Sequence, residues 1–332
     1  MNRRQQKSKR GLPAPRHSER EPHPQPPGTR FIYIVVMTLD SPSTDKAADR
    51  ASKGNRTVVF ILSSDRSGST WLGYILGSLR NSSFVGELRR AWDAGLRQPC
   101  AWCSAHGLEA CETLSGIEAY PVDRAFEIAF SRTGTELVID SSKRLEWARQ
   151  FVARNSLFSA HLIHIIRDPR GWYESEHRRR SESRDEMIEG WVRENLEIRN
   201  FTKSAGANST TVFYDELAAS PESGLKRICD DLNRPYESES LLYWRKAHHA
   251  FAANGAAWPL LNGAPKASTL SHFISGDDGF YQSKGGTSFV DRRWKEALTE
   301  TDEFAIRDNS KVAQFLSLYN RVLTAESIQC YC

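Results

Sequence analysis

The sequence predicts an α/β fold of three layers, in which helices cover both faces of a mostly parallel central sheet. Strands are expected near residues 57–62, 136–140, 160–166 and 209–214, with a possible shorter one near 83–85. The first of these is an unbroken apolar, β-branched run, which is typical of a strand that is buried on both faces. Segments of helical period separate the runs, as expected for a parallel sheet with crossover helices.

The predicted helices fill the intervals between the strands and the C-terminal part of the chain. They lie near residues 68–80, 121–132, 143–155, 170–180, 185–204, 221–233, 238–251 and 302–324. Pro221 stands at the first turn of its helix, where proline is favoured. The interval 252–290 is rich in Gly, Ser, Ala and Asn, so we expect it to be a long mobile segment that closes over a ligand.

A single domain is predicted over residues 56–328, after a disordered head and linker at 1–55. Residues 1–30 carry eight Lys or Arg against two Glu and are rich in Pro and Gln, so we expect them to be solvated rather than bound to nucleic acid. The apolar run at 31–39 is shorter than the about 20 residues that span a bilayer, and it lacks a signal-peptide cleavage site. We therefore expect no transmembrane segment and a cytoplasmic protein. One hypothesis is that translation begins at Met37.

The strand predicted at 57–62 runs directly into a loop of small polar residues, Ser63–Thr70. The helix that follows Gly68 directs its first backbone N–H groups towards this loop, which favours a bound anion. Arg66 adds a positive charge and a planar fork of donors. A nucleotide triphosphatase loop would contain G-x-x-x-x-G-K-[ST], and this loop lacks that lysine.

A second candidate phosphate site follows the strand predicted at 160–166. That strand ends in Arg167-Asp168-Pro169-Arg170-Gly171, and Ser175 stands eight residues after Arg167. A dianionic phosphate requires a bidentate cation and a hydroxyl donor, and the carboxyl edge of a parallel sheet places both. The structural alternative is an ion pair between Arg167 and Asp168.

Together these two motifs resemble those of sulfotransferases that use 3′-phosphoadenosine-5′-phosphosulfate (PAPS), and similar segments occur in bacterial relatives of the carbohydrate and tyrosylprotein branch. The resemblance extends from about Arg56 to about Val322 and implies a P-loop-like fold. It also implies that PAPS is the co-substrate, with its 3′-phosphate on Arg167 and Ser175. The cofactor-binding residues implied in this way are Arg66, Ser67, Gly68, Ser69, Thr70, Trp71, Arg167 and Ser175.

Two further segments supply candidates for the chemistry. Phe84–Arg89 resembles the G-E segment of the tyrosylprotein branch, which implies that Glu87 is the general base. The Asp140–Lys143 segment is similar to a motif whose lysine contacts the transferring group, which implies that Lys143, with Arg66, offsets developing charge. The structural alternatives are a solvated glutamate at a helix start and an ordinary surface lysine.

The resemblance implies in-line transfer of the sulfuryl group to an acceptor hydroxyl, achieved by positioning and charge stabilisation without a metal ion. A carbohydrate, a peptide, a lipid and a small molecule all remain open as acceptors, and the oligomeric state is not predicted. Two alternatives remain: a kinase or nucleotide hydrolase, which the missing lysine disfavours, and a non-catalytic module that binds adenosine bisphosphate or an anionic polymer.

Weaker similarities continue downstream. Tyr214–Leu217 is similar to a Y-E-D-L segment in which the two acids are exchanged. Residues 249–255 resemble an H-x-x-x-G-N segment, but the order of its final Gly and Asn is not kept. Val290–Lys295 resembles a segment that closes over the nucleotide, and Lys284-Gly285-Gly286 is a further candidate for phosphate contact. The basic run at 178–180 with Arg184 either attracts an acidic acceptor or, as we prefer, is neutralised by interleaved acids.

Cys100, Cys103 and Cys111 form a separate group, with His106 between the last two. This spacing is compatible with zinc, with His106 as the fourth ligand, and also with a disulfide. Because a second C-x-x-C pair is absent, we favour a third interpretation, in which the thiols only pack near the acceptor pocket. Without a signal peptide, reduced cysteines are the default.

Overall fold

A computed structural model describes part of the chain, and the prediction of a three-layer α/β fold is confirmed in it. The described residues are 56–94, 100, 102–103, 108, 111, 113–155, 157–253 and 290–330. Several of the predictions fall outside these residues: those for the head and linker, for His106, for Lys284–Gly286 and for most of the mobile segment. Those interpretations stay predictions, and so do the bounds of the single domain.

Five parallel strands form the central sheet, in the order β2-β3-β1-β4-β5. The strands are β1 (Thr57–Leu62), β2 (Ser82–Gly86), β3 (Leu137–Asp140), β4 (Ser159–Ile166) and β5 (Asn208–Phe213). In β1, Val58 is paired with Val138 on one side and with Ala160 on the other. β1 lies in the middle of the sheet, with β3 and β2 on one side and β4 and β5 on the other. Because the strands are parallel, the loops after β3, β1 and β4 meet at one edge, where ligands of such sheets bind.

Helices cover both faces of this sheet. They are α1 (Ser69–Gly77), α2 (Leu88–Asp93), α3 (Ala125–Thr133), α4 (Leu145–Arg154), α5 (Pro169–His177), α6 (Arg184–Ser204), α7 (Tyr214–Ala219), α8 (Pro221–Asp231), α9 (Trp294–Ala297), α10 (Glu300–Arg307) and α11 (Ser310–Ser317). Val59 and Ile61 of β1 belong to a core cluster with α1 and α8. Phe60, between them, belongs to the opposite cluster with α3, α4 and α6. The alternation buries β1 from Val58 to Leu62, as its unbroken apolar sequence predicted.

Short 3₁₀ helices and a two-stranded antiparallel sheet complete the described residues. The 3₁₀ helices are Ile117–Ala119, Val122–Arg124, Ser238–Leu241 and Tyr243–Arg245, and the small sheet pairs β6 (Arg321–Leu323) with β7 (Ile328–Cys330). A third apolar cluster joins α5 and α6 to α10 and α11. No helix in the described part of the chain is long and apolar enough to cross a bilayer.

Two helix predictions were wrong. Over 238–251 the chain forms two 3₁₀ turns and then an irregular segment, because tertiary hydrogen bonds replace the helical ones. The ammonium group of Lys246 donates to the carbonyl oxygens of Gly77, Leu79 and Ser82 at 2.7, 3.2 and 3.1 Å. The helix predicted over 302–324 is broken at Asn309, whose side chain accepts two amide hydrogen bonds and begins α11 as its N-cap. It also ends early, at Ser317, and the predicted last turn is strand β6 instead.

Candidate active site

The loop after β1 is held in a conformation that requires glycine at one position. Gly68 has φ = 90°, and a Cβ atom there would lie 2.5 Å from Cδ2 of Tyr214. Gly68 immediately precedes α1, and no side chain caps that end of the helix. Ser67, Ser69 and Thr70 are buried in the loop and first turn. This places helix amides and hydroxyl groups around one small space, an arrangement that suits an anion.

The two predicted phosphate motifs meet at this loop. Nε of Arg66 donates to Oγ of Ser175 at 3.1 Å. Nη1 of Arg167 donates to the backbone oxygen of Arg66 at 2.8 Å, and its guanidinium lies 5.2 Å from the ring centre of Tyr214. Trp71, the last residue of the predicted loop set, packs edge-on against the same Tyr214 ring at 5.9 Å. Residues from three separate segments therefore surround one position.

Arg167 is paired with Asp291 and not with Asp168. Its Nη2 donates to Oδ2 of Asp291 at 3.0 Å, and both side chains are buried. Burial alone would raise the pKa of Asp291, but hydrogen bonds from Arg293 and the charge of Arg167 lower it to about 2. Asp168 instead forms a buried pair with Arg170 at 2.7 Å. The sequence placed Asp291 in a segment that closes over the nucleotide, but it did not predict this ion pair, because Asp291 and Arg167 are 124 residues apart.

The acids of the segment similar to Y-E-D-L have different positions. Asp215 is buried and its Oδ2 accepts the backbone N–H of Asp168 at 3.1 Å. Burial and the neighbouring charge of Asp168 raise the pKa of Asp215 to about 6. Glu216 pairs with Arg321 at the edge of the small sheet. Asp215 thus supports the start of α5, the helix that carries Ser175, by fixing the backbone of its N-cap residue.

Glu87 and Lys143 form a buried ion pair at the end of β2 and after β3. Nζ of Lys143 lies 2.7 Å from Oε1 of Glu87, and Nη1 of Arg90 lies 3.1 Å from Oε2. The Glu87 side chain is only 3% exposed and that of Lys143 11%. These values rule out a solvated glutamate and an ordinary surface lysine. Arg90 was not among the predicted residues, although its spacing of three from Glu87 on a helix places the two side chains together.

Asp65 connects this pair to the phosphate motifs. Its carboxylate lies 3.4 Å from Nζ of Lys143, and it directly precedes Arg66 in the loop after β1. Both Arg66 and Lys143 have positive φ angles, 62° and 56°. Non-glycine residues are strained by about 1–3 kcal/mol in such conformations, which occur often in functional loops. The predicted catalytic and cofactor-binding residues therefore occupy one continuous site.

Asp140 fixes the backbone on both sides of the Glu87–Lys143 pair. Its carboxylate accepts hydrogen bonds from the backbone N–H of Leu88 at 3.1 Å and from both N–H and Oγ of Ser142 at 2.9 and 2.8 Å. Burial raises the pKa of Asp140 to about 7, although these hydrogen bonds act in the opposite direction. An aspartate at the carboxyl end of a strand was the available sequence signal for this positioning role.

The backbone at Glu87 is held from the other side by Phe251. The N–H of Phe251 donates to the carbonyl oxygen of Val85 at 3.0 Å. The N–H of Glu87 in turn donates to the carbonyl oxygen of Phe251 at 2.7 Å. Gly86 lies between them with φ = 81°, and a Cβ atom there would lie 2.1 Å from the oxygen of Phe251. Only glycine permits this close backbone contact.

A cavity of about 450 Å³ opens between α5 and α6. It is lined by Trp172, Arg180, Glu182, Glu186, Met187, Glu189, Gly190, Arg193, Glu194 and Glu197. Burial raises the pKa of Glu194, on the wall of this cavity, to about 7; the charge of Asp65 acts in the same direction and that of Lys143 in the opposite one. Three of the four arginines of the basic cluster pair with acids, as preferred: Arg178 with Glu174 at 2.6 Å, Arg180 with Glu176 at 2.9 Å and Arg184 with Asp185 at 2.9 Å.

Comparison with known proteins agrees with this geometry. The model of the Sulfotransferase family matches residues 58–238, which is more than half of the chain. The chain therefore belongs to the sulfotransferase family, as the sequence motifs indicated. No curated protein sequence matches it.

Several solved structures are similar to this chain. The sulfotransferase domain from the curacin biosynthetic pathway superimposes with a TM-score of 0.53 at 19% identity, covering 80% of this chain and 97% of its own. The sulfotransferase domain of the Synechococcus PCC 7002 olefin synthase gives 0.46 at 21% identity, with 76% and 94% covered. Mouse sulfotransferase SULT7A1, complexed with PAP, gives 0.42 at 15% identity, with 83% and 94% covered. The first of these shares the fold.

Proposed function

We propose that this protein is a PAPS-dependent sulfotransferase that transfers the sulfuryl group to an acceptor hydroxyl, with Glu87 as the general base. The observation that carries the proposal is the meeting of Arg66, Arg167 and Ser175 within hydrogen-bond distance, next to the Glu87–Lys143 pair. A donor with phosphate groups at both ends requires cations and hydroxyl donors at two neighbouring points. The membership of the family supports the same reaction class.

The donor is held at two points in this proposal. The loop from Arg66 to Thr70 and the N-terminus of α1 bind the 5′-phosphosulfate through amides, hydroxyl groups and the Arg66 guanidinium. Arg167 and Ser175 bind the 3′-phosphate. Asp291 keeps the Arg167 fork oriented before the donor arrives, because the pair is buried at 3.0 Å.

The chemistry needs no covalent intermediate on the protein. As the acceptor oxygen attacks sulfur, Glu87 removes the hydroxyl proton, the new S–O bond forms and the bond from sulfur to the phosphate oxygen breaks. Adenosine 3′,5′-bisphosphate leaves with the electron pair of that bond. Lys143 contacts Glu87 at 2.7 Å before reaction, and we expect it to stabilise the sulfuryl oxygens as their charge develops. Arg66 stabilises the leaving phosphate.

The acceptor enters through the cavity between α5 and α6. Five glutamates and two arginines line it, so a neutral or cationic acceptor is favoured over a strongly acidic one. The pairing of Arg178 and Arg180 with glutamates of α5 supports the same preference. A hydroxyl on a carbohydrate, a peptide, a lipid or a small molecule meets these requirements.

The proposal is tested by incubating the purified protein with [³⁵S]PAPS and a cell extract, and identifying the labelled product. We expect label to move to an acceptor with the wild type and not with Arg167→Met. Arg178→Met is the control, because it removes an arginine that pairs with Glu174 at 2.6 Å and is half-exposed. Magnesium-dependent turnover of ATP without sulfuryl transfer would replace this proposal with a kinase or hydrolase.

A further inference from the structure

Three cysteines converge on one histidine next to the strand that leads to Glu87. The Sγ atoms of Cys100, Cys103 and Cys111 lie 3.8, 3.5 and 3.4 Å from Nδ1 of His249. All four atoms lie within 4.8 Å of one another. The three cysteines are buried, with 4, 2 and 6% of their surface exposed. The chain brings them together although His249 is separated from Cys111 by 138 residues.

These distances are those of ligands around a single ion. Zinc binds sulfur at about 2.3 Å and imidazole nitrogen at about 2.0–2.1 Å, and a regular tetrahedron then separates the sulfur and nitrogen atoms by roughly 3.6 Å. The three observed separations, 3.4, 3.5 and 3.8 Å, lie on both sides of that value. No disulfide joins the three cysteines, all of which the structure describes.

We propose that Cys100, Cys103, Cys111 and His249 bind one Zn²⁺ ion as a structural site. Thiolate and imidazole ligands suit zinc, and four protein ligands leave no open position for a substrate. The N–H of Leu114 points to Sγ of Cys111 at 3.4 Å, a second contact of the kind that orients a thiolate ligand. In this proposal His249 is the fourth ligand; His106, the candidate from the sequence, lies outside the described residues.

The interpretation favoured from the sequence, in which the thiols only pack, explains why the three cysteines are buried. It does not explain why their sulfur atoms all lie close to one nitrogen of His249. Cys229 is a thiol of that kind, since it is fully buried in the apolar cluster on the opposite face of the sheet. In contrast, Cys100, Cys103 and Cys111 place three polarizable sulfur atoms around a ring nitrogen inside an apolar cluster. Polar groups gathered in such an environment cost free energy unless they have a partner, and an ion supplies one.

The proposed ion fixes the backbone that positions Glu87. Phe251, two residues after His249, forms bridges with both Gly86 and Cys100. It therefore lies between the ligand segment at Cys100 and the end of β2, and it accepts the N–H of Glu87 at 2.7 Å. Zinc binding would hold the backbone at Phe251 in place, because one ligand, His249, is two residues before Phe251 and another, Cys100, forms a bridge with it. The role is structural and does not require the sulfuryl transfer itself.

Metal analysis of the purified, reduced protein tests the site without any activity assay. We expect about one zinc ion per chain in the wild type and a loss of most of it in Cys111→Ser and His249→Ala. Cys229→Ser is the matched control and keeps its zinc, because it removes a buried thiol outside the group. Cobalt added to the zinc-free wild type gives the visible absorption of a tetrahedral cobalt thiolate, and this readout remains decisive if a variant fails to fold.

Hydrogen exchange separates a structural ion from an adventitious one. Removal of zinc by a chelator is expected to speed exchange of the Glu87 amide at least tenfold, with β1 amides unaffected. The proposal is overturned if the folded, reduced protein binds neither zinc nor cobalt. It is also overturned if mass spectrometry of the unreduced protein shows a disulfide within the group, if Cys111→Ser retains its metal, or if exchange at Glu87 does not change.

Discussion

Glu87→Gln tests the assignment of the general base, because it removes a charge while preserving the shape of the side chain. In the structure Glu87 accepts from Lys143 at 2.7 Å and from Arg90 at 3.1 Å, and only 3% of its side chain is exposed. Loss of one member of a buried pair costs about 3–5 kcal/mol. We expect a smaller loss of stability, on the order of 1–3 kcal/mol, because Asp65 remains 3.4 Å from Lys143 and half of Arg90 is exposed.

The catalytic effect of Glu87→Gln is expected to be much larger than its effect on stability. Removal of a general base lowers the rate by roughly 10²–10⁴-fold. We expect the affinity for adenosine 3′,5′-bisphosphate to be unchanged, since in the proposed reaction Glu87 contacts the acceptor hydroxyl and not the nucleotide. Single-turnover transfer from labelled PAPS and calorimetric titration measure the two quantities. Glu303→Gln supplies the control for loss of a carboxylate that pairs with two cationic side chains, because Glu303 lies 2.8 Å from Arg170 and 3.3 Å from Arg307. A Glu87→Gln variant with wild-type transfer rates would refute the reasoning.

Two further predictions concern stability. Gly86→Ala is expected to cost more than about 2 kcal/mol in urea unfolding, because its Cβ would meet the oxygen of Phe251 at 2.1 Å. Gly206 has φ = 67° and open space around it, so Gly206→Ala should cost only about 1 kcal/mol, from backbone strain. Equal losses of stability in the two variants would contradict a role for the contact between Gly86 and Phe251. Burial lowers the pKa of His164 to about 4, whereas in the unfolded chain it is about 6.5. The protein therefore has its full free energy of unfolding above pH 6.5 and loses part of it as the pH drops towards 4. At pH 5 this loss is about 2 kcal/mol, so the free energy of unfolding of His164→Asn should fall by about that much less between pH 7 and 5 than that of the wild type.

The parts of the fold that follow from local sequence were predicted. The strand at Thr57–Leu62 and the loop at Arg66 could be recognised because an apolar run and a small-residue loop are continuous in the chain. The same applies to Arg167 and Ser175, which are separated by only two helical turns. The meeting of these motifs also followed, since parallel strands bring their carboxyl ends to one edge of a sheet.

Contacts between distant segments could not be predicted from local patterns. The helical period near 238–251 gave no sign that Lys246 donates to three carbonyl groups between the end of α1 and the start of β2. Asp291 and His249 have no neighbouring motif that pairs them with Arg167 or with Cys111. His106 was chosen as the candidate fourth ligand because it is close in sequence, whereas His249 reaches the cysteines only in the folded chain.

Calorimetric titration with adenosine 3′,5′-bisphosphate and with adenosine 5′-phosphate, on the wild type and Arg167→Met, tests the central claim most directly. Charge-assisted hydrogen bonds contribute about 1.5–3 kcal/mol each, so loss of a two-bond fork weakens bisphosphate binding by at least about 10²-fold. The account predicts that loss for the bisphosphate, little change for adenosine 5′-phosphate, and wild-type affinity in Arg178→Met, which removes a half-exposed arginine paired with Glu174. Absence of wild-type binding, or equal losses for both nucleotides, would contradict it.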